Sequence, residues 1–154
     1  MTITINGFDT ASIQSAISRL RTFDNSRMQE TCERVASIGA LRASLGFARA
    51  PYSGTNDVTV AVEQTTGGAR LRASGSAVLF IEYGSGARYG YGHPRPDGYG
   101  PGTYPGKGHW NDPNGWWYGH NQHTYGNPPA AAMFHAEQDM REVAQEIANE
   151  VYGK

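Results

Sequence analysis

Four of the five histidines, His93, His109, His120 and His123, fall in one glycine-rich stretch, and His120 and His123 stand three residues apart, a spacing that could chelate zinc. No cysteine lies near them and no two-plus-two ligand pattern appears, so they read as polar side chains at a wet interface, with no metal and no cofactor expected. Glu82 stands beside the Tyr83-Gly84 turn and could act as a general base, but no second acid or nucleophile sits at a telling spacing. The reading preferred for it is a carboxylate paired with an arginine or capping backbone N–H groups. "GSGARYG", residues 84–90, lacks the Lys-Ser/Thr ending of a phosphate-binding loop. Cys32 falls on an apolar helical stripe and reads as a small core residue. No catalytic residue is assigned.

The aromatic residues carry the stronger signal. Residues 84–126 hold 12 of the 20 glycines and 9 of the 17 aromatic side chains: Tyr89, Tyr91, Tyr99, Tyr104, Trp110, Trp116, Trp117, Tyr118 and Tyr125. Tyrosine and tryptophan bury large areas at small cost in side-chain entropy, which is why they dominate contact surfaces. A 43-residue irregular stretch inside a domain is uncommon and usually functional. These nine residues are therefore the expected protein interface, on an arm spanning residues 84–127.

The arm must hang on ordered elements. "TITI", residues 2–5, alternates as a short strand would, and Asn6-Gly7 turns the chain. Asp9 or Thr10 can cap a helix carrying Ile13, Ala16, Ile17 and Leu20. Asn25 or Ser26 reads as a fresh N-cap, with Ser26 and Gln29 at capping-box spacing. A second helix then runs to about Arg49 on a stripe of Met28, Cys32, Val35, Ile38, Leu41 and Leu45, and Pro51 stops it. Val58, Val60 and Val62 face Leu71 and Ala73 across a hairpin turned at Gly67-Gly68, with Arg70 and Arg72 sharing one strand face. Ala77 to Ile81, apolar on both faces, predicts a strand covered on both sides. Finally Asn127, as cap, with Pro128 and Pro129 opens a long helix whose stripe is Met133, Ala136, Met140, Val143, Ile147 and Val151.

These elements predict a single α+β domain: a small, mainly antiparallel sheet packed by two N-terminal helices and one long C-terminal helix, with core residues 1–83 and 128–152. The chain of 154 residues is long enough to bury a core unaided. One cysteine precludes an intramolecular disulfide, the N-terminus lacks the pattern of a signal peptide, and no apolar run approaches a membrane span, so a soluble protein made in a cytoplasm is expected. With 13 basic and 14 acidic side chains there is no overall field to gather nucleic acid.

"NDV" (56–58), "FIEYGSG" (80–86), "HP" (93–94), "TYGNPPAAAMFHA" (124–136) and "MREVAQEIANEVY" (140–152) together resemble the neck or tail-completion proteins of long-tailed bacteriophages, minor capsid or head–tail connector components. Glu82, Tyr83, Gly84, Asn127 and Pro128 belong to the structural motifs that carry this likeness. The resemblance implies a non-enzymatic virion part at the head–tail junction, assembled in the host cytoplasm. It implies copies of the chain in a ring, a hexamer by expectation, other neck and tail proteins as partners, and packaged DNA nearby without specific recognition. The alternative is a stand-alone domain whose aromatic loop grips carbohydrate or single-stranded nucleic acid by stacking.

Overall fold

The computed structural model describes residues 10–89, 93, 112–118 and 121–153. In chain order these form α1 (Thr10–Arg49), the hairpin strands β1 (Thr59–Thr65) and β2 (Gly68–Ser74), the short α2 (Val78–Tyr83), a 3-10 turn (Ala87–Tyr89), the strands β3 (Trp116–Tyr118) and β4 (Gln122–Thr124), and α3 (Ala132–Tyr152). The class is α+β. The expected strand at residues 2–5 lies outside the described residues.

Two N-terminal helices are expected, and one forms. Helix α1 runs 40 residues without a break, about 60 Å at 1.5 Å per residue. The polar residues read as a cap lie inside it and bond to its own backbone: Ser26 Oγ donates to the Phe23 carbonyl at 2.8 Å, as Thr22 does to Ser18 and Thr31 to Arg27. Arg27 lies over the Phe23 ring, 4.8 Å from its centroid, and Gln29 Nε2 donates both to Glu33 Oε1 and to the Gly68 carbonyl. The helix ends before Pro51 as expected. The Phe47 carbonyl near the helix end accepts both the Ala50 N–H at 3.3 Å and Asn56 Nδ2 at 2.9 Å.

The first hairpin follows the sequence. Val60 pairs with Ala73 and Val62 with Leu71; Val60, Leu71 and Ala73 pack on the core and Val62 is half-buried, while Arg70 and Arg72 stay exposed. Gly67 turns the chain at φ 75°. The expected strand over Ala77–Ile81 is instead α2. A short apolar run fits either period, and here a remote cap decides. Asp57, from the loop before β1, accepts the backbone N–H groups of Ser76 and Ala77 at 2.8 and 2.9 Å. Those are orphan donors of a starting helix, and Ala77 has no side chain to cap them. With α2 helical, the described strands make no single sheet: among the described residues β1–β2 and β3–β4 are separate antiparallel ribbons.

Helix α3 begins at Ala132 rather than at the two prolines, and its N-cap is Ala131, in the left-handed region at φ 48° with no side-chain cap. Its expected stripe is correct: Ala136, Ile147 and Val151 are buried and Met133, Met140 and Val143 half-buried. The stripe chosen for α1 is not the one that packs. Ala36, Gly39, Ala43 and Phe47 are buried, whereas Ile38, Leu41 and Leu45 are exposed. Small residues win because α1 and α3 lie so close that a Cβ on Gly46 would sit 2.7 Å from Ala132 Cβ. Ala43, Phe47, Ala77, Ile81, Ala132 and Ala136 form the shared core of α1, α2 and α3.

Candidate functional site

Glu82, in the last turn of α2, is buried, as is His93. Its Oε2 accepts the Met133 N–H at 2.9 Å and its Oε1 accepts the Phe134 N–H at 3.2 Å, with His93 Nε2 also 3.2 Å from Oε1. These are first-turn amides of α3, so a carboxylate 50 residues upstream does what Ala131 cannot. The main chain reinforces it: Ala130 N–H donates to the Ile81 carbonyl and Ala131 N–H to that of Glu82. Asn127, expected as a helix cap, does something else. It exchanges both backbone hydrogen bonds with Ser85, takes the Ser85 hydroxyl on its Oδ1 at 2.6 Å, and donates through Nδ2 to the Phe80 carbonyl at 2.9 Å. Gly84 lies between these contacts at φ 78°, and a Cβ there would meet the Pro129 nitrogen at 2.7 Å. Pro128 and Pro129 thus carry an extended approach to α3, clamped on α2. Glu82 uses its acceptor capacity structurally, which matches the capping reading. A cavity of about 330 Å³ opens beside it, lined by Leu71, Tyr83, His93, Met133 and Phe134 among others.

The clamp roots the aromatic ribbon. Where an irregular arm is expected, Trp116 pairs with Thr124, Trp117 with His123 and Tyr118 with Gln122. Alternation along β3 separates the two tryptophans. Trp116 is half-buried and lines a cavity of about 170 Å³ with Tyr52, Phe80 and Asn127. Trp117 is 68% exposed. Its ring meets His123 edge-on at 5.0 Å between centroids, His123 meets Tyr125 at 4.8 Å, and Arg88 Cζ stands 4.0 Å over the Tyr125 ring. The result is a fixed, outward row of Trp117, His123, Tyr125 and Arg88.

Of the nine aromatic residues expected at an interface, Tyr91, Tyr99, Tyr104 and Trp110 lie outside the described residues, as do His109 and His120. Tyr89 is half-buried in the 3-10 turn. His93 and His123 are far apart in role, one on Glu82 and one between aromatic rings, and among the described residues no three His, Cys, Asp or Glu side chains converge on a metal-sized site. The sequence reading missed Arg88 and the ordering role of His123. For His123 the signal is the flanking of "GHNQ" by two short runs of strand-forming residues, a hairpin pattern hidden by the surrounding glycines; for Arg88 the local sequence carries none. Among the described residues no helix is long and apolar enough to cross a membrane. Compared with known proteins, the chain matches no family model, no curated protein and no solved structure.

Proposed function

We propose that this chain is a structural subunit of a tailed-phage virion, a ring-forming neck or tail-completion component joining head and tail. The observation that carries the reading is the row of Trp117, His123, Tyr125 and Arg88, aromatic and cationic, ordered and turned outward from a clamped scaffold. Aromatic residues and arginine dominate binding hot spots, and rigid presentation lowers the ordering cost of association. The sequence likeness, which runs over nearly the whole chain and is strongest from about residue 76 onward, points the same way. A ring repeats one heterologous contact around a closed cycle, so one such row per subunit suffices. The ribbon of each copy contacts the next copy or an adjoining neck protein, with packaged DNA nearby and no enzymatic role.

The test is Trp117→Ala with Tyr125→Ala, in purified protein and in particles assembled with the other structural proteins of the phage. A subunit that melts like the parent yet fails to enter particles supports the proposal. A variant that assembles normally sinks it.

A further inference from the structure

Where Ile38 of α1 meets Val143 and Ile147 of α3, the two helices leave a groove that holds a cavity of about 540 Å³. Leu41 and Leu45, one and two turns further along α1, extend its apolar strip and are 64 and 41% exposed. Its rim is acidic. Glu33, Glu146 and Glu150 line it with one cation, Arg34, and Arg34 is paired with Glu150. Glu33 takes neutral donors, the side-chain amides of Gln29 and Gln64, at 2.7 Å each. The groove is therefore apolar along its length and net negative at its edge.

The outward row on the ribbon has the complementary character. Trp117 and Tyr125 supply exposed aromatic surface, Arg88 and His123 supply basic groups, and no carboxylate stands among the four. The bridge between Ser85 and Asn127 roots this row just before α3 begins. The cavity lies between Val143 and Glu150, about 16 to 27 Å further along that helix. Row and groove thus belong to different ends of α3, and a copy that gives its row to one neighbour still presents its groove to another.

We propose that the groove between α1 and α3 of each copy is the seat for the Trp117–Tyr125 row of the next copy. This rests on the ring reading above and names the surface that the row meets. Trp117 fills the apolar cavity, and Arg88 reaches its glutamate rim. The Arg88 guanidinium lies over the Tyr125 ring, and stacking uses the flat face of the group while its N–H donors, all in the plane, stay available for a carboxylate. Opposite charge at the edge of an apolar contact fixes its register and steers the encounter. Because the two surfaces differ, the contact is heterologous, the kind that closes into a ring.

The experiment places the photocrosslinking residue p-benzoylphenylalanine at position 117 of the full chain and maps its adducts by peptide mass spectrometry in particles assembled with the other structural proteins of the phage. The expected adducts join one copy to residues 33–45 or 143–150 of another. Adducts on a different face of the chain, adducts only on another protein, or none at all overturn the proposal. Leu41→Glu should cut incorporation into particles by about thirtyfold or more with the thermal transition retained. Arg88→Glu and Glu146→Arg should each cut it by about threefold or more, and the two in one chain should restore it. That restoration decides the matter should Leu41→Glu fold poorly, and its failure counts against the groove. If Trp117→Ala with Tyr125→Ala blocks incorporation while Leu41→Glu and Glu146→Arg leave it intact, the row keeps its role and the groove loses it. If none of these changes matters, both readings fall.

Discussion

The inner and outer faces of α1 are both apolar, yet they meet opposite fates. Inside, Ala36, Gly39, Ala43 and Gly46 let α3 approach until backbone nearly touches backbone; outside, Ile38, Leu41 and Leu45 stand exposed. Burying large residues recovers more area per side chain, but only if a partner can move out to receive them. Here α3 is fixed by the Glu82 clamp and follows a short connection from Asn127, so it docks where little side-chain volume stands between the helices. Hydrophobicity marks both faces, and size distinguishes them.

The largest expected effect breaks the inner face. Gly46→Leu places a side chain where a Cβ alone would lie 2.7 Å from Ala132 Cβ and 3.1 Å from its Cα, and backbone cannot yield cheaply. A loss of about 3 kcal/mol in urea denaturation is expected. Gly39→Leu should cost less, since the obstacle there is the flexible Met140 side chain.

Next comes the clamp that holds α3 in place. Glu82→Ala leaves the Met133 and Phe134 amides and His93 without their shared acceptor. The expected loss is about 2 kcal/mol, with Glu82→Gln milder because one carbonyl oxygen remains. Hydrogen exchange should show α3 opening first at its N-terminal turn. Exchange that accelerates evenly across the chain would assign Glu82 no special hold on α3.

A smaller effect belongs to Asp57, the exposed cap of α2. Its hydrogen bonds from the Ser76 and Ala77 N–H groups, then from the Ser76 hydroxyl, hold its pKa down from 3.8 to about 2. A pKa depressed by folding contributes stability that is present above the unfolded value and disappears as pH falls through the folded one. Melting temperature should therefore carry a component lost between about pH 4 and pH 2. Asp57→Asn should flatten that part of the profile and leave the pH 5–7 region parallel to the parent.

The smallest expected effect is on the outward surfaces. Trp117→Ala should shift monomer stability by about 0.5 kcal/mol or less, since its ring is mostly solvated. Trp116→Ala, which empties one wall of the cavity shared with Tyr52 and Phe80, should cost distinctly more, about 2 kcal/mol. Equal effects from the two tryptophans would remove the distinction between the faces of β3.

Local chemistry determined a good deal by itself. Alternating valines and Gly67 at the turn specify β1–β2, a five-turn stripe specifies α3, Pro51 limits α1, and the concentration of Trp and Tyr locates the outward row near Trp117 and Tyr125. Each depends on neighbours within a turn or two, so the sequence displays it. Tertiary structure decided the rest. Val78–Tyr83 is helical because Asp57, 20 residues before the N-cap Ala77, supplies the missing cap. Helix α3 starts at Ala132 because Glu82, about 50 residues earlier, accepts its first amides. Asn25 and Ser26 stay inside α1, which continues along the hairpin and α3, because helical packing on both outweighs a local preference to cap. Which face of α1 turns inward follows from how near α3 can come, a distance that exists only once the chain has folded.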